Sequence, residues 1–233
     1  MTLPTVAFRQ PILCYVTDRT ALQGGSQNGF DRVQNKVLIA AAAGIDWIQI
    51  REKDLPTREL LTLAGDAVRI AHAASDGPRV ILNDRLDIAL AAGADGVHLG
   101  GESIVSAGVI QWCRRGNAPP EFLIGVSCHR IEEALEAERA GASYIFFGPV
   151  YDTPSKRSFG SPHGIARLTR VCEAVRIPVV AIGGVTETNA AETLRAGAAG
   201  IAAIRLFQES EDAESLGKVV ERLRQSLARN QQL

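Results

Sequence analysis

The stretch Gln49-Ile50-Arg51-Glu52-Lys53 is the most informative part of this chain, with four polar side chains in five residues, three of them charged. It closes an apolar run, Ile45-Asp46-Trp47-Ile48, with an amide and two cations where a buried strand should stop. Such side chains pack poorly but hold anions well. Arginine offers a planar fork of donors and lysine a compact charge, and both suit the oxygens of a pyrophosphate. Taken alone, Arg51 and Glu52 could equally form a structural ion pair.

These residues need a scaffold, and the apolar pattern supplies one. Strands are expected at 12–17, 47–51, 80–83, 96–99, 122–127, 144–148, 179–183 and 200–204. Their near-continuous apolar character implies burial on both faces, as in a parallel sheet under helices. Helical spacing appears between them, for example at Leu60, Ala64, Ala67, Val68 and Ala71, and again from Ile131 through Ala134 and Leu135. Eight strands alternating with helices predict an α/β fold, a single (β/α)8 TIM barrel spanning 1–233. An internal echo agrees. Ala43-Gly44, Ala92-Gly93, Ala140-Gly141 and Ala196-Gly197 each precede an even-numbered strand, as a helix-ending glycine would.

In such a barrel the C-terminal strand ends share one mouth, where active sites form. The first strand ends in Thr17-Asp18-Arg19, and the second in Gln49, Arg51 and Lys53. Asn83-Asp84-Arg85 end the third. The fourth carries His98 and leads to Glu102 and Ser103. Ser127-Cys128-His129 end the fifth. A long connection, 149–163, follows the sixth and brings Thr153, Ser155, Lys156 and Arg157. A connection that long in a compact barrel is usually functional. Gly183-Gly184 end the seventh, just before a helix expected near Thr186 to Asn189, a pairing that favours phosphate. Some of these residues admit two readings. Asp84 could cap the helix that starts near Arg85. His98 could be a hydrogen-bonded barrel histidine. Cys128 and His129 are adjacent on a strand and point oppositely, which argues against a nucleophilic dyad.

The totals exclude several classes. A net charge of −1 over 233 residues carries no nucleic-acid footprint. No run approaches the roughly 18 apolar residues of a membrane span. The first ten residues lack the apolar run of a signal peptide. Cys14, Cys113, Cys128 and Cys172 have no C-x-x-C spacing and lie in or beside apolar segments, which fits a reduced, cytoplasmic setting. Assembly into a homo-oligomer stays open.

Several segments follow one another in order along nearly the whole chain. They are Tyr15-Val16-Thr17-Asp18, Gln49-Ile50-Arg51-Glu52-Lys53, Asn83-Asp84-Arg85, Asp95-Gly96-Val97-His98-Leu99-Gly100 and Gly125-Val126-Ser127-Cys128-His129. Gly148-Pro149-Val150-Tyr151, Thr153-Pro154-Ser155-Lys156 and Ile182-Gly183-Gly184-Val185 complete the series. Through them the chain resembles the thiamine-phosphate synthase family, whose near relatives include the thiazole tautomerases. The resemblance implies a transferase. Hydroxymethylpyrimidine pyrophosphate loses its pyrophosphate, and the nitrogen of a thiazole phosphate attacks the methylene, giving thiamine phosphate. By the same resemblance Gln49, Arg51, Lys53, Asn83, Ser127 and Lys156 hold the pyrimidine and its pyrophosphate. Arg51, Lys53, Ser127 and Lys156 are then the catalytic set. Asp84 binds Mg2+, and Thr153, Ser155 and Gly184 hold the thiazole phosphate. His98, His129 and Ile204 complete the substrate-binding group.

Two departures qualify the likeness. The family usually carries Gln and Asp where this chain has Gly101 and Ser103, and that Asp is the second metal carboxylate. Mg2+ takes only one or two carboxylates beside phosphate oxygens, so Asp84 could suffice, or Glu102 could contribute. Where the family commonly places a Ser near the thiazole phosphate, strand eight ends in Ile204-Arg205. Arg205 could add charge to that phosphate or point outward to an ion pair. Two rival functions remain: a thiazole tautomerase, with His129 shuttling protons, and a non-catalytic phosphate-binding barrel. Retention of Lys53 and Asp84 favours the synthase over the tautomerase, while Ser103 leans the other way.

Overall fold

The computed structural model describes residues 11–22, 29–73, 76–100, 106–153 and 161–228. Eight parallel strands follow one another in chain order around a closed barrel: β1 (Ile12–Val16), β2 (Trp47–Ile50), β3 (Arg79–Asn83), β4 (Gly96–Leu99), β5 (Leu123–Cys128), β6 (Tyr144–Phe147), β7 (Val179–Ile182) and β8 (Gly200–Ala203). Pairing of Ile12 with Gly200 and Tyr15 with Ala203 closes the ring. Each strand lies within one residue of its expected bounds at either end, because burial on both faces leaves an apolar run with sharp edges. The (β/α)8 architecture expected from the sequence is the one observed.

The shell consists of α1 (Gly29–Ala42), α2 (Thr57–Ala71), α3 (Leu86–Ala91), α4 (Ser106–Trp112), α5 (Ile131–Ala140), α6 (Ile165–Ala174), α7 (Glu187–Arg195), α8 (Arg205–Gln208) and α9 (Ala213–Ala228). In α2 the stripe Leu60, Leu63, Ala64, Ala67 and Ala71 is buried, with Val68 only partly covered. No helix among the described residues is long and apolar enough to cross a membrane.

Alternation along the strands separates two cores. Leu13, Tyr15, Ile48, Ile50, Val80 and Leu82 face the helices and join the larger one. Ile12, Cys14, Val16, Trp47, Ile81 and Leu123 face inward, and with Tyr144, Phe146, Val180 and Ala202 they fill the lumen. The same parity carries Gln49, Asn83, His98 and Ser127 inward at the C-terminal end of the barrel.

The Ala-Gly echo has a structural meaning at the opposite end. All four of its glycines adopt positive φ. Two residues on, the chain pairs with the preceding odd-numbered strand, Asp46 with Leu13, Asp95 with Val80, Ser143 with Ile124 and Ala199 with Val179, each by its own N–H. In three of the four, the side chain also takes the partner's N–H: Asp46 from Leu13 at 2.7 Å, Asp95 from Val80 at 2.7 Å and Ser143 from Ile124 at 2.9 Å. Ala199 has no polar side chain to do so. In three of the four odd strands the repeat thus pins an N–H that the ladder leaves over.

Candidate active site

On the β2–β3 side of the mouth, the side-chain amide of Gln49 donates to Oδ1 of Asn83 at 3.1 Å. Nδ2 of Asn83 donates to Asp84 at 2.7 Å, and the other Asp84 oxygen accepts the Gly100 N–H at 2.8 Å. Asp84 does not cap α3. The residue before that helix is Arg85, without a capping side-chain bond, and Asp84 stands at φ +60 with its carboxylate on the exposed rim. Aspartate is among the few non-glycine residues that tolerate this left-handed conformation. The turn therefore aims a carboxylate at solvent beside the Gln49–Asn83 pair.

Arg51 and Glu52 do not pair, which settles one of the two readings of that rim. Glu52 turns away and is buried, with both oxygens on the Arg19 N–H at 3.2 and 3.1 Å. Burial pushes its carboxyl above the ordinary carboxylate range. Neither the Arg51 guanidinium nor the Lys53 ammonium has a hydrogen-bonding or ion-pair partner among the described residues. Two uncompensated cations thus stand at the end of β2.

Across the mouth, His98 is 2% exposed and bridges Ser127 and Tyr144, with Nε2 2.9 Å from the serine hydroxyl and Nδ1 3.2 Å from the tyrosine hydroxyl. Its ring packs against Phe146 at 4.2 Å between centroids. Burial pulls its pKa down to about 3, against a smaller upward pull from Asp84. The imidazole is therefore neutral and adds no charge to the mouth. Gly125 makes this arrangement possible, since a Cβ there would sit 2.2 Å from the Tyr144 ring and 2.5 Å from the imidazole. His98 is thus the hydrogen-bonded barrel histidine of one reading, and through Ser127 it orients a group of the other.

Cys128 and His129 form no dyad. Cys128 is buried in the outer core with its thiol pushed up to about 12, while Nδ1 of His129 meets the Gly148 carbonyl. The His129 ring lies near His163, which stacks beside the outward-facing Phe147. His129 thus stands on the rim beside the residues that open the β6–α6 connection.

After β7, Gly183 and Gly184 both take positive φ, and the residues that follow β6 lie directly on them. Val150 donates to Ile182 at 3.0 Å and Tyr151 to Gly183 at 2.9 Å, so a Cβ at Gly184 would come within 2.5 Å of the Asp152 carbonyl. This brings Thr153 beside the Gly-Gly turn. Asn189 fixes the turn to α7 by accepting the Thr186 N–H at 2.8 Å and donating to the Gly184 carbonyl at 3.0 Å. The Gly184 N–H has no acceptor among the described residues, and Gly184 lies two residues before the Thr186 cap of that helix, a place that suits phosphate. Ile204 packs on the lumen core, and Arg205 opens α8, exposed and without an ion pair among the described residues. The outward ion pair considered for Arg205 is not seen there.

A sequence model of the family described as "Thiamine monophosphate synthase" matches residues 13–207, which takes in all of the barrel strands but the first residue of β1. The chain belongs to the thiamine monophosphate synthase family. A thiamine-phosphate synthase from Chlorobium phaeobacteroides is 37% identical over 217 residues, covering 92% of this chain and 96% of that protein. One from Methanoculleus marisnigri is 42% identical over 193 residues, covering 82% and 85%. The solved thiamine phosphate pyrophosphorylase from Pyrococcus furiosus superposes with a TM-score of 0.77 at 32% identity, over 94% of this chain and 98% of that one. Family membership makes the protein a transferase.

Of the expected family residues, Gln49, Arg51, Lys53, Asn83, Asp84, His98, Ser127, Thr153, Gly184, Ile204 and Arg205 all stand at the C-terminal end of the barrel. Glu102, Ser103, Ser155 and Lys156 lie outside the described residues. Sequence reasoning gave no role to Tyr144, which holds the far side of His98, or to Thr17, which is fully buried and accepts the Arg51 N–H at 3.0 Å. The signal for Thr17 was a hydroxyl at the end of an otherwise apolar strand.

Proposed function

We propose that this protein is a Mg2+-dependent thiamine-phosphate synthase, joining hydroxymethylpyrimidine pyrophosphate to thiazole phosphate with release of pyrophosphate. The observation that carries this reading is the pair of cations, Arg51 and Lys53, without a partner among the described residues and beside the Asn83–Asp84 turn. Departure of pyrophosphate leaves a stabilised pyrimidine cation, so the chemistry asks little of acids and bases. It asks for neutralisation of the leaving group and for in-line placement of the nucleophile. Arg51 and Lys53 supply the first, with Lys156 from the β6–α6 connection. Gln49 and Asn83 hold the pyrimidine side, and Ser127, oriented by neutral His98, faces the pyrophosphate. Thr153, Ser155 and the Gly184 N–H hold the thiazole phosphate at the head of α7, with Arg205 adding charge from the start of α8.

Asp84 fits a Mg2+ ligand. Its carboxylate stands on an exposed rim, where it takes the Asn83 amide and the Gly100 N–H, and one carboxylate with phosphate oxygens is an ordinary magnesium set. Glu102 or Ser103 would be the second protein ligand. Bound there, Mg2+ supplies charge neutralisation for the pyrophosphate. We assign the enzyme to the cytoplasm, a reading supported by its four free cysteines.

The test is incubation of the two phosphorylated halves with the full chain, with Mg2+ and then with a chelator. Thiamine phosphate is expected with the metal and little without it. No coupling, with conversion of a thiazole tautomer instead, would overturn the assignment. Binding of both phosphates without turnover would leave a phosphate-binding barrel.

A further inference from the structure

The two cations of the β2 end alternate with two acids, and both acids are tied to one residue of the β1–α1 connection. Glu52, 4% exposed, takes the Arg19 N–H on both oxygens, and the nearby Thr17 hydroxyl favours the ionised form of the same carboxyl. Asp54 takes the Arg19 guanidinium at 2.7 Å. Thr17 in turn accepts the Arg51 N–H at 3.0 Å and donates its own N–H to the Gln49 carbonyl at 2.9 Å. Gln208 of α8 holds the same turn from behind, accepting from Tyr15 at 2.9 Å and donating to the Asp18 carbonyl at 3.0 Å. Along Arg51-Glu52-Lys53-Asp54, the acids are anchored and the cations have no side-chain partner among the described residues.

We propose that Glu52, acting through Thr17 and Arg19, is a positioning residue for the pyrophosphate clamp. This rests on the synthase reading above. A carboxylate between two cations would neutralise them if it faced the mouth. Here strand parity turns it away, and the Arg19 N–H holds it there beside the Thr17 hydroxyl. The same bonds fix the backbone from which Arg51 and Lys53 project. An uncharged side chain at 52 leaves the Arg19 N–H or the Thr17 hydroxyl poorly matched in a buried place, and the turn carrying both cations loosens.

The test is calorimetric titration of the full chain with inorganic pyrophosphate and Mg2+, beside steady-state kinetics on both substrates. Glu52→Gln is expected to weaken pyrophosphate and raise the KM for the pyrimidine pyrophosphate on the order of tenfold. The KM for thiazole phosphate should not change. The nearly isosteric Thr17→Val should reproduce this, Thr17→Ser should restore the affinity, and the double variant Glu52→Gln with Thr17→Val should lose no more than either single one. Equal pyrophosphate affinity in Glu52→Gln and the unaltered chain would overturn the inference, as would equal losses for both substrates. Pyrophosphate binding that depends on Glu52 in a chain that couples nothing would uphold the positioning role and sink the synthase reading. An unaltered chain that binds no pyrophosphate would sink both.

Discussion

At Lys53 the side chain is exposed and bound to nothing among the described residues, so truncation removes charge without removing packing. Lys53→Ala is expected to lower turnover about a hundredfold with an unchanged unfolding midpoint. Asp84 calls for a gentler substitution, because alanine would be strained at φ +60 whereas asparagine tolerates it. Asp84→Asn should therefore cost about 1 kcal/mol of stability or less while abolishing the response of turnover to Mg2+. Near-normal rates in both variants would remove the pyrophosphate site from this rim. Both residues were legible from the sequence because a charged side chain at the end of an apolar run has no packing role to play. Glu52 was not. Its partners, Thr17 and Arg19, lie more than thirty positions away, and adjacency to Arg51 suggested an ion pair that strand parity forbids.

Elements were easier to read than their connections. Strands buried on both faces announce themselves as apolar runs, which is why all eight expected ones are present. The connection after β6 was recognisable only by its length, and its first residues turn out to continue the β6–β7 pairing past the strand ends, from Val150 to Tyr151. Nothing in composition encodes that register. It follows from the close approach at Gly184, where any Cβ would meet the Asp152 carbonyl and the Tyr151 side chain. Gly184→Ala is expected to cost about 1–3 kcal/mol from the positive φ alone. It should also raise the KM for thiazole phosphate more than that for the pyrimidine pyrophosphate, since it displaces the turn proposed to hold the thiazole phosphate. Equal effects on the two KM values would separate this turn from the thiazole phosphate.

For the molecule as a whole, the neutral histidine in the lumen links stability to pH. Unfolded, His98 takes up a proton near 6.5, and folded it resists protonation until about 3. Between those values the unfolded chain binds more protons, so stability falls as pH drops and is recovered as pH rises. One such proton corresponds to about 1.4 kcal/mol per pH unit. His163, also shifted down by burial, acts in the same direction, and Glu52, shifted up, acts in the opposite one. The contribution of His98 is therefore isolated by comparison. Denaturant unfolding from pH 7 to 4.5 should show a steeper loss for the unaltered chain than for His98→Asn. Parallel curves would mean that the imidazole is not held neutral.

The ring of pins at the opposite end of the barrel is incomplete. Asp46, Asp95 and Ser143 each hold the N–H of an odd strand, and Ala199 stands at the fourth such place, half-buried beside Val179. Ala199→Asp should complete the set and raise stability by about 0.5–1.5 kcal/mol, read as a higher unfolding midpoint with unaltered kinetics. An unchanged or lower midpoint would show that Val179 needs no acceptor. Because the vacant place lies a full strand length from the mouth, it offers an engineer a foothold where robustness can be increased without the customary loss of catalytic rate.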